Sequence, residues 1–120
     1  MTEPLVKKDI IGVMVYVRNL EQAVNWYCSR LGMDLGANDD HFAEMTVEGK
    51  YVMHLFKADD CVPVSKAAFT FDTDDIVRAH RALSDQAVPV DPIRHYGDHS
   101  GFTFQDCEGN ALMICQYVVR

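Results

Sequence analysis

The chain has 120 residues, 48% of them hydrophobic and 24% charged, enough apolar content for one packed domain and too much for a disordered chain. Its formal net charge is −7, and a surface that acidic repels phosphate backbones and anionic lipid, so nucleic acid and membrane partners are excluded as expectations. No run of about 18 apolar residues exists to span a bilayer.

The first ten residues lack the basic start and long apolar stretch of a secretory signal. Cys28, Cys61, Cys107 and Cys115 form no C-x-x-C pair and no recognisable zinc or disulfide spacing. The expectation is a cytoplasmic protein with free thiols.

Ile10 to Val17 is β-branched and aromatic, which predicts a strand. Asn19 follows, with Gln22 three residues on, as in a capping box. Leu20, Val24, Tyr27 and Leu31 recur on one helix face, and Gly32 stands where a left-handed C-cap belongs. Met33 to Gly36, Phe42 to Val47 and Tyr51 to Phe56 read as short strands, the last two joined by a tight hairpin at Glu48-Gly49-Lys50. Asp59 to Ser65, with Pro63 inside, is a linker.

The same order then begins again. Ala67 to Phe71 is a predicted strand, and Thr73 or Asp74 caps a helix whose apolar face is Ile76, Ala79 and Leu83. Val88 to Ile93 reads as an edge strand, because Pro89 and Pro92 cannot donate to a ladder. Gly101 to Gln105 and Ala111 to Val118 are the last two strands, joined by a turn at Glu108-Gly109-Asn110. The prediction is therefore an α+β fold, a β-α-β-β-β unit repeated at a spacing of roughly 54 residues. Residues 10–57 form module one, 58–65 the linker and 66–118 module two of a single domain over 1–120. One module alone cannot cover both faces of its sheet.

Val15-x-Val17-x-Asn19-Leu20-x-x-Ala23-x-x-Trp26-Tyr27-x-x-x-Leu31-Gly32 resembles the opening of the vicinal-oxygen-chelate superfamily, which includes glyoxalase, fosfomycin-resistance and bleomycin-resistance proteins and dioxygenases. Phe102-x-Phe104-x-Asp106-x-x-Gly109-Asn110 resembles its closing signature. The family usually carries Asp at position 19 and Asp-Pro at 106–107; here Asn19 and Asp106-Cys107 stand instead. The likeness runs from about Ile10 to Gln116. It implies two βαβββ modules forming curved mixed sheets around a pocket, and a homodimer with a site built from both chains.

The resemblance also implies four metal-ligand positions, two per module. They correspond here to Gly12, His54, Lys66 and Met113. Only His54 suits a hard or borderline divalent metal, whereas catalytic zinc uses three protein ligands and an open position. The neighbours Ile11, Val13, Ser65, Ala67, Leu112 and Ile114 include no good ligand. No cofactor is therefore predicted.

Period-two alternation places Met14 and Tyr16 on one face of the opening strand, Val52 and Phe56 with His54, and Ala111 and Cys115 with Met113. The predicted ligand-binding residues are Met14, Tyr16, His54, Phe56, Lys66, Phe102, Met113 and Cys115, an adaptable and largely apolar lining. His54 and Lys66 together would suit a ligand carboxylate or phosphate. Trp26 is assigned to helix packing, His80 to an interface or the exposed surface, and Arg94 to His99 to a solvated loop. Asp72, Asp74 and Asp75 read as a helix N-terminus. No G-x-G-x-x-G, P-loop, G-x-S-x-G or H-E-x-x-H motif is present.

The expected function is metal-free binding of a small molecule, to sequester or sense it. The alternatives are a glyoxalase-like lyase or isomerase or a dioxygenase, needing metal or His54 as base, and an accessory domain with a closed cavity.

Overall fold

The computed structural model describes residues 2–118. The opening strand β1 (Met14–Val17) is shorter than its β-branched run, and residues 2–13 lead into it outside any strand. Helix α1 (Leu20–Leu31) is bounded by the predicted caps: Asn19 Oδ1 accepts from the Gln22 amide at 3.0 Å, and Gly32 is left-handed at φ 74°. Then come β2 (Asp34–Asn38), β3 (Phe42–Val47) and β4 (Lys50–Lys57). Glu48 and Gly49 both have positive φ, as a two-residue type I′ hairpin requires.

The second unit runs β5 (Phe71–Asp72), α2 (Ile76–Asp85), β6 (Arg94–His95), β7 (His99–Gln105) and β8 (Ala111–Tyr117). The two sheets have matching orders, β1-β4-β3-β2 and β5-β8-β7-β6. In each, the first strand runs parallel to the last and the remaining pairs are antiparallel. No helix among the described residues is long and apolar enough to cross a membrane.

Three elements of the second unit differ from the sequence reading. Only Phe71 and Asp72 pair with β8, so most of the predicted strand over 67–71 is irregular chain. The helix cap is Asp75, whose Oδ1 accepts from the Arg78 amide at 3.0 Å; Thr73 Oγ1 instead accepts from the Asp75 amide. The prolines keep residues 88–93 out of the ladder apart from one bridge, Val90 to Phe104. The edge strand forms just beyond them, at Arg94–His95, which puts the predicted loop of residues 94–99 into a short hairpin.

Alternation along the strands builds the core. Val15, Val17, Ala43, Met45, Met53 and Leu55 are buried on the face that carries α1, with its Ala23 and Tyr27. Phe102, Phe104, Leu112 and Ile114 do the same under Ile76 and Leu83 of α2. Trp26 packs edge-on against Tyr27, as expected of a helix-packing residue.

The turn between β7 and β8 joins the modules. The Asp106 carboxylate is buried and accepts from the Tyr27 hydroxyl at 2.7 Å, from the Glu108 and Asn110 amides at 2.9 Å each, and from Asn110 Nδ2 at 3.0 Å. Asn110 Nδ2 also donates to the Tyr16 carbonyl, and its Oδ1 accepts from the Val64 amide. The Glu108 carboxylate accepts from the amides of Arg18 and Asn19 at 2.7 and 2.8 Å. In a capping box the helix's own third residue would satisfy the cap amide. Here the other module supplies that acceptor, so the opening and closing signatures meet in one hydrogen-bond network.

Cys107 lies beside this network, and its thiol is pushed up to about 11, by burial first and then by Asp106 and Glu108. The thiolate is the reactive form, so alkylation of Cys107 should rise about tenfold per pH unit from pH 7 to 10. Iodoacetamide labelling followed by peptide mass spectrometry checks this. A rate that levels off near pH 8.5 contradicts it.

Candidate functional site

The face of the first sheet away from α1 carries a cluster of aromatic side chains. Parallel pairing of β1 with β4 sets Met14 beside His54 and Tyr16 beside Phe56. Antiparallel pairing of β3 with β4 sets Glu44 beside His54 and Phe42 beside Phe56. Two rows cross the sheet as a result: Tyr16–Phe56–Phe42 and Met14–His54–Glu44. Tyr16 stacks on Phe56 with ring centroids 5.9 Å apart, and His54 stacks on Phe56 at 5.3 Å with planes 18° apart. Phe42 is tilted against both His54 and Phe56. Met14 and Tyr16 remain 55% and 50% exposed, so this apolar face is open rather than a core.

A β-bulge adds Tyr51 to the cluster. The hairpin starts with Val47 opposite Lys50 and Thr46 opposite Tyr51, then slips by one so that Met45 faces Met53. The extra residue lets Tyr51 and His54 share a face although they are three apart. The Tyr51 hydroxyl lies 2.9 Å from His54 Nδ1. Val52, predicted to share that face, instead packs against the core and lines a groove with Leu31 and Val47.

The other predicted residues lie elsewhere. Phe102 is buried and meets His80 of α2 edge-on at 4.8 Å, so it belongs to the helix side and not to an open face. Lys66 is exposed in irregular chain, because the strand expected to carry it is not formed there. Met113 and Cys115 share a face of the second sheet with Gly101, the residue paired with Cys115. A Cβ at Gly101 would stand 2.7 Å from Met113 Cε and 2.8 Å from Cys115 Sγ, so the missing side chain is what lets these two lie across the strand. Phe42, Glu44 and Tyr51 are the face residues that sequence reasoning missed.

Where the two sheets adjoin, Met14, Tyr16, Val62, Phe69 and Leu112 line an apolar cleft of about 190 Å³. That is smaller than the roughly 300–1,000 Å³ of drug-sized ligand pockets. A larger cleft, about 860 Å³, opens between the start of α1 and the β2–β3 turn. Its lining mixes charged groups, among them Asp39, Asp40 and Lys57, with apolar Leu20, Val24 and Phe42.

The positions that would hold a divalent ion do not form a ligand set. Residue 12 is glycine, Lys66 is exposed and cationic, and Met113 offers a weak thioether. The nearest atom to a side chain built at Gly12 would be the Tyr51 hydroxyl, 4.0 Å away. No group of three or more His, Cys, Asp or Glu side chains suited to a metal occurs among the described residues.

Paired βαβββ units define a fold class rather than a single chemistry. The sequence matches the profile of the Glyoxalase/Bleomycin resistance protein/Dioxygenase superfamily over residues 10–114, and the chain belongs to that superfamily. Among solved structures, it is similar to an integron cassette protein from the mobile metagenome of a Halifax Harbour sewage outfall, with 23% identity, TM-score 0.80, and coverage of 92% of this chain and 99% of the other. It is also similar to lactoylglutathione lyase from Agrobacterium tumefaciens, with 16% identity, TM-score 0.75, and coverage of 92% and 94%. A third is TnmS3, an antibiotic binding protein from Streptomyces sp. CB03234, with 21% identity, TM-score 0.72, and coverage of 94% and 100%. A search of curated proteins found no match.

Proposed function

We propose that this chain is a metal-free small-molecule-binding protein that takes a planar, largely aromatic ligand on the face formed by Tyr16, Phe42, Tyr51, His54 and Phe56, to sequester or sense it. The observation that carries the reading is the register that aligns Tyr16, Phe56 and Phe42 in one row, with half-exposed Tyr16 left uncovered. Flat π-surfaces stack on such rows, and Met14 can adapt its shape to the occupant. The antibiotic-binding activity of TnmS3, which shares the fold, is consistent with this class of function. A metal-dependent lyase or dioxygenase reading would need a metal-ligand set that these positions do not supply.

The same reading has two copies pairing into a homodimer, each helping to close the other's open face. The apolar cleft beside Met14 and Tyr16 is too small for a drug-sized ligand, and Leu5, Val6, Ile10 and Ile11 are at least four-fifths exposed ahead of β1. Four free thiols fit a reducing cytoplasm.

The test is a thermal-shift screen of planar aromatic drugs and metabolites, since a ligand that binds only the folded chain raises its melting temperature. Losing one stacking ring costs about 1–2 kcal/mol, so Phe56→Ala should weaken the best hit roughly tenfold. Val77→Ala, at an exposed position on α2, should leave it unchanged. Equal binding by wild type and Phe56→Ala rules out this face, and a melting temperature that falls on chelation with one equivalent of metal per chain rules out the metal-free part. Light scattering at micromolar concentration reads the oligomeric state, and a monomer contradicts the pairing.

A further inference from the structure

We propose that Tyr51 is a positioning residue that holds His54 in its Nε2–H tautomer, so that the aromatic face presents one fixed hydrogen-bond donor to an acceptor oxygen on the ligand. The tautomer stands independently of the proposed function, whereas the ligand's acceptor oxygen rests on that reading.

The Val13 amide, which can only donate, points at the Tyr51 hydroxyl oxygen at 3.2 Å. The hydroxyl proton then has two destinations: His54 Nδ1 at 2.9 Å, or the Val13 carbonyl at 3.4 Å. The Val13 carbonyl already accepts from the His54 amide at 2.8 Å, a shorter and regular sheet bond. That carbonyl keeps a second lone pair, but at 3.4 Å it competes weakly, and the 2.9 Å contact to Nδ1 takes the proton. An imidazole nitrogen that accepts is unprotonated, and in the neutral ring the other nitrogen must carry the hydrogen.

The ring is also held in place. His54 stacks on Phe56 and is flanked by Phe42 and Tyr51 at 5.9 and 5.1 Å. Among the described residues, Nε2 has no hydrogen-bond partner, so its N–H remains free for a ligand. A donor fixed within an apolar, stacked surface favours a planar ring bearing a carbonyl over the same ring without one. Leaving that donor unpaired beneath the ligand would carry a desolvation penalty.

Long-range ¹H–¹⁵N correlation spectra of the full chain at about pH 9, above the usual imidazole range, read the tautomer without any ligand; a His54→Gln spectrum identifies the His54 signals. Wild type is expected to show a protonated Nε2 and an unprotonated Nδ1. Tyr51→Phe, which keeps the ring and removes the proton, should give averaged signals from both tautomers. A protonated Nδ1 in wild type, or an unchanged pattern in Tyr51→Phe, overturns the positioning role.

For the ligand's oxygen, 2-acetylnaphthalene and 2-ethylnaphthalene differ by a carbonyl. Wild type should bind the first about tenfold tighter, and Tyr51→Phe should narrow that ratio severalfold. Equal affinities overturn the donor role. Failure of both naphthalenes to bind overturns the ligand half along with the proposed function, while the tautomer spectrum still decides the role of Tyr51.

Discussion

Replacing Asp106 with alanine is expected to destabilise the chain by about 3 kcal/mol, because a buried carboxylate with several donors leaves them unsatisfied when it is removed. The donors are the Tyr27 hydroxyl, the Glu108 and Asn110 amides and Asn110 Nδ2, drawn from both modules. For a domain of this size that loss lowers the melting temperature by roughly 12 °C. Asp106→Asn keeps the shape and part of the accepting capacity, so it should cost less than half as much. Urea denaturation followed by circular dichroism measures both, and an alanine variant within 0.5 kcal/mol of wild type would show that the network contributes little.

The same contact has an alkaline signature. Burial, followed by the charge and hydrogen bond of Asp106, holds the Tyr27 hydroxyl above the ordinary phenol range. A folded-state pKa raised above the unfolded value means that the stabilisation is intact below about pH 10, the ordinary phenol value, and is lost as pH rises beyond it. The loss approaches about 1.4 kcal/mol per pH unit for this one group. Tyr27→Phe should flatten that part of the decline. The Cys107 thiol, also raised, gives a parallel decline that begins near pH 9, and a Cys107→Ser background separates the two.

Asn110→Asp is expected to be at least as damaging, at about 4 kcal/mol near pH 7.5, although it changes the side-chain volume hardly at all. It puts an oxygen where Nδ2 now donates, 3.0 Å from Asp106 Oδ2 and 3.3 Å from the Tyr16 carbonyl. Both residues are buried, so two carboxylates cannot share that space while both are ionised. One of them takes up a proton in the folded state, and its folded pKa lies above its unfolded value near 3.9. The sign follows directly. This variant should regain stability as pH falls from 7.5 toward 5 and lose it as pH rises. Denaturation at the two pH values decides the matter, and a pH-independent loss would mean that the damage is steric. Because Asn110 also holds the Tyr16 carbonyl, either change should loosen β1 and weaken stacking on the aromatic face.

Local chemistry in the sequence was sufficient wherever a feature depends on a few adjacent residues. Asn19 and Gly32 bound α1 because a side-chain acceptor and a left-handed glycine act within one turn. The Glu48-Gly49 hairpin follows from the positive φ that it requires. Alternation correctly paired Met14 with Tyr16 and His54 with Phe56, since a strand's period of two is a property of the backbone. The two signatures also pointed to the repeated unit and its superfamily.

Tertiary structure decided what depends on register and on partners distant in sequence. A plain two-residue hairpin would pair Glu44 with Met53 and leave Tyr51 and His54 on opposite faces of the sheet. One bulged residue reverses both and brings Tyr51 to His54. The amide of Asn19 could be satisfied by Gln22 in principle, and only the docking of the second module gives it to Glu108. Phe102 alternates as well as any pocket residue, but the position of α2 makes its face a core. Short-range backbone preferences can be read from the chain alone; which face of a strand meets solvent is settled only when the sheets, bulges and helices are packed together.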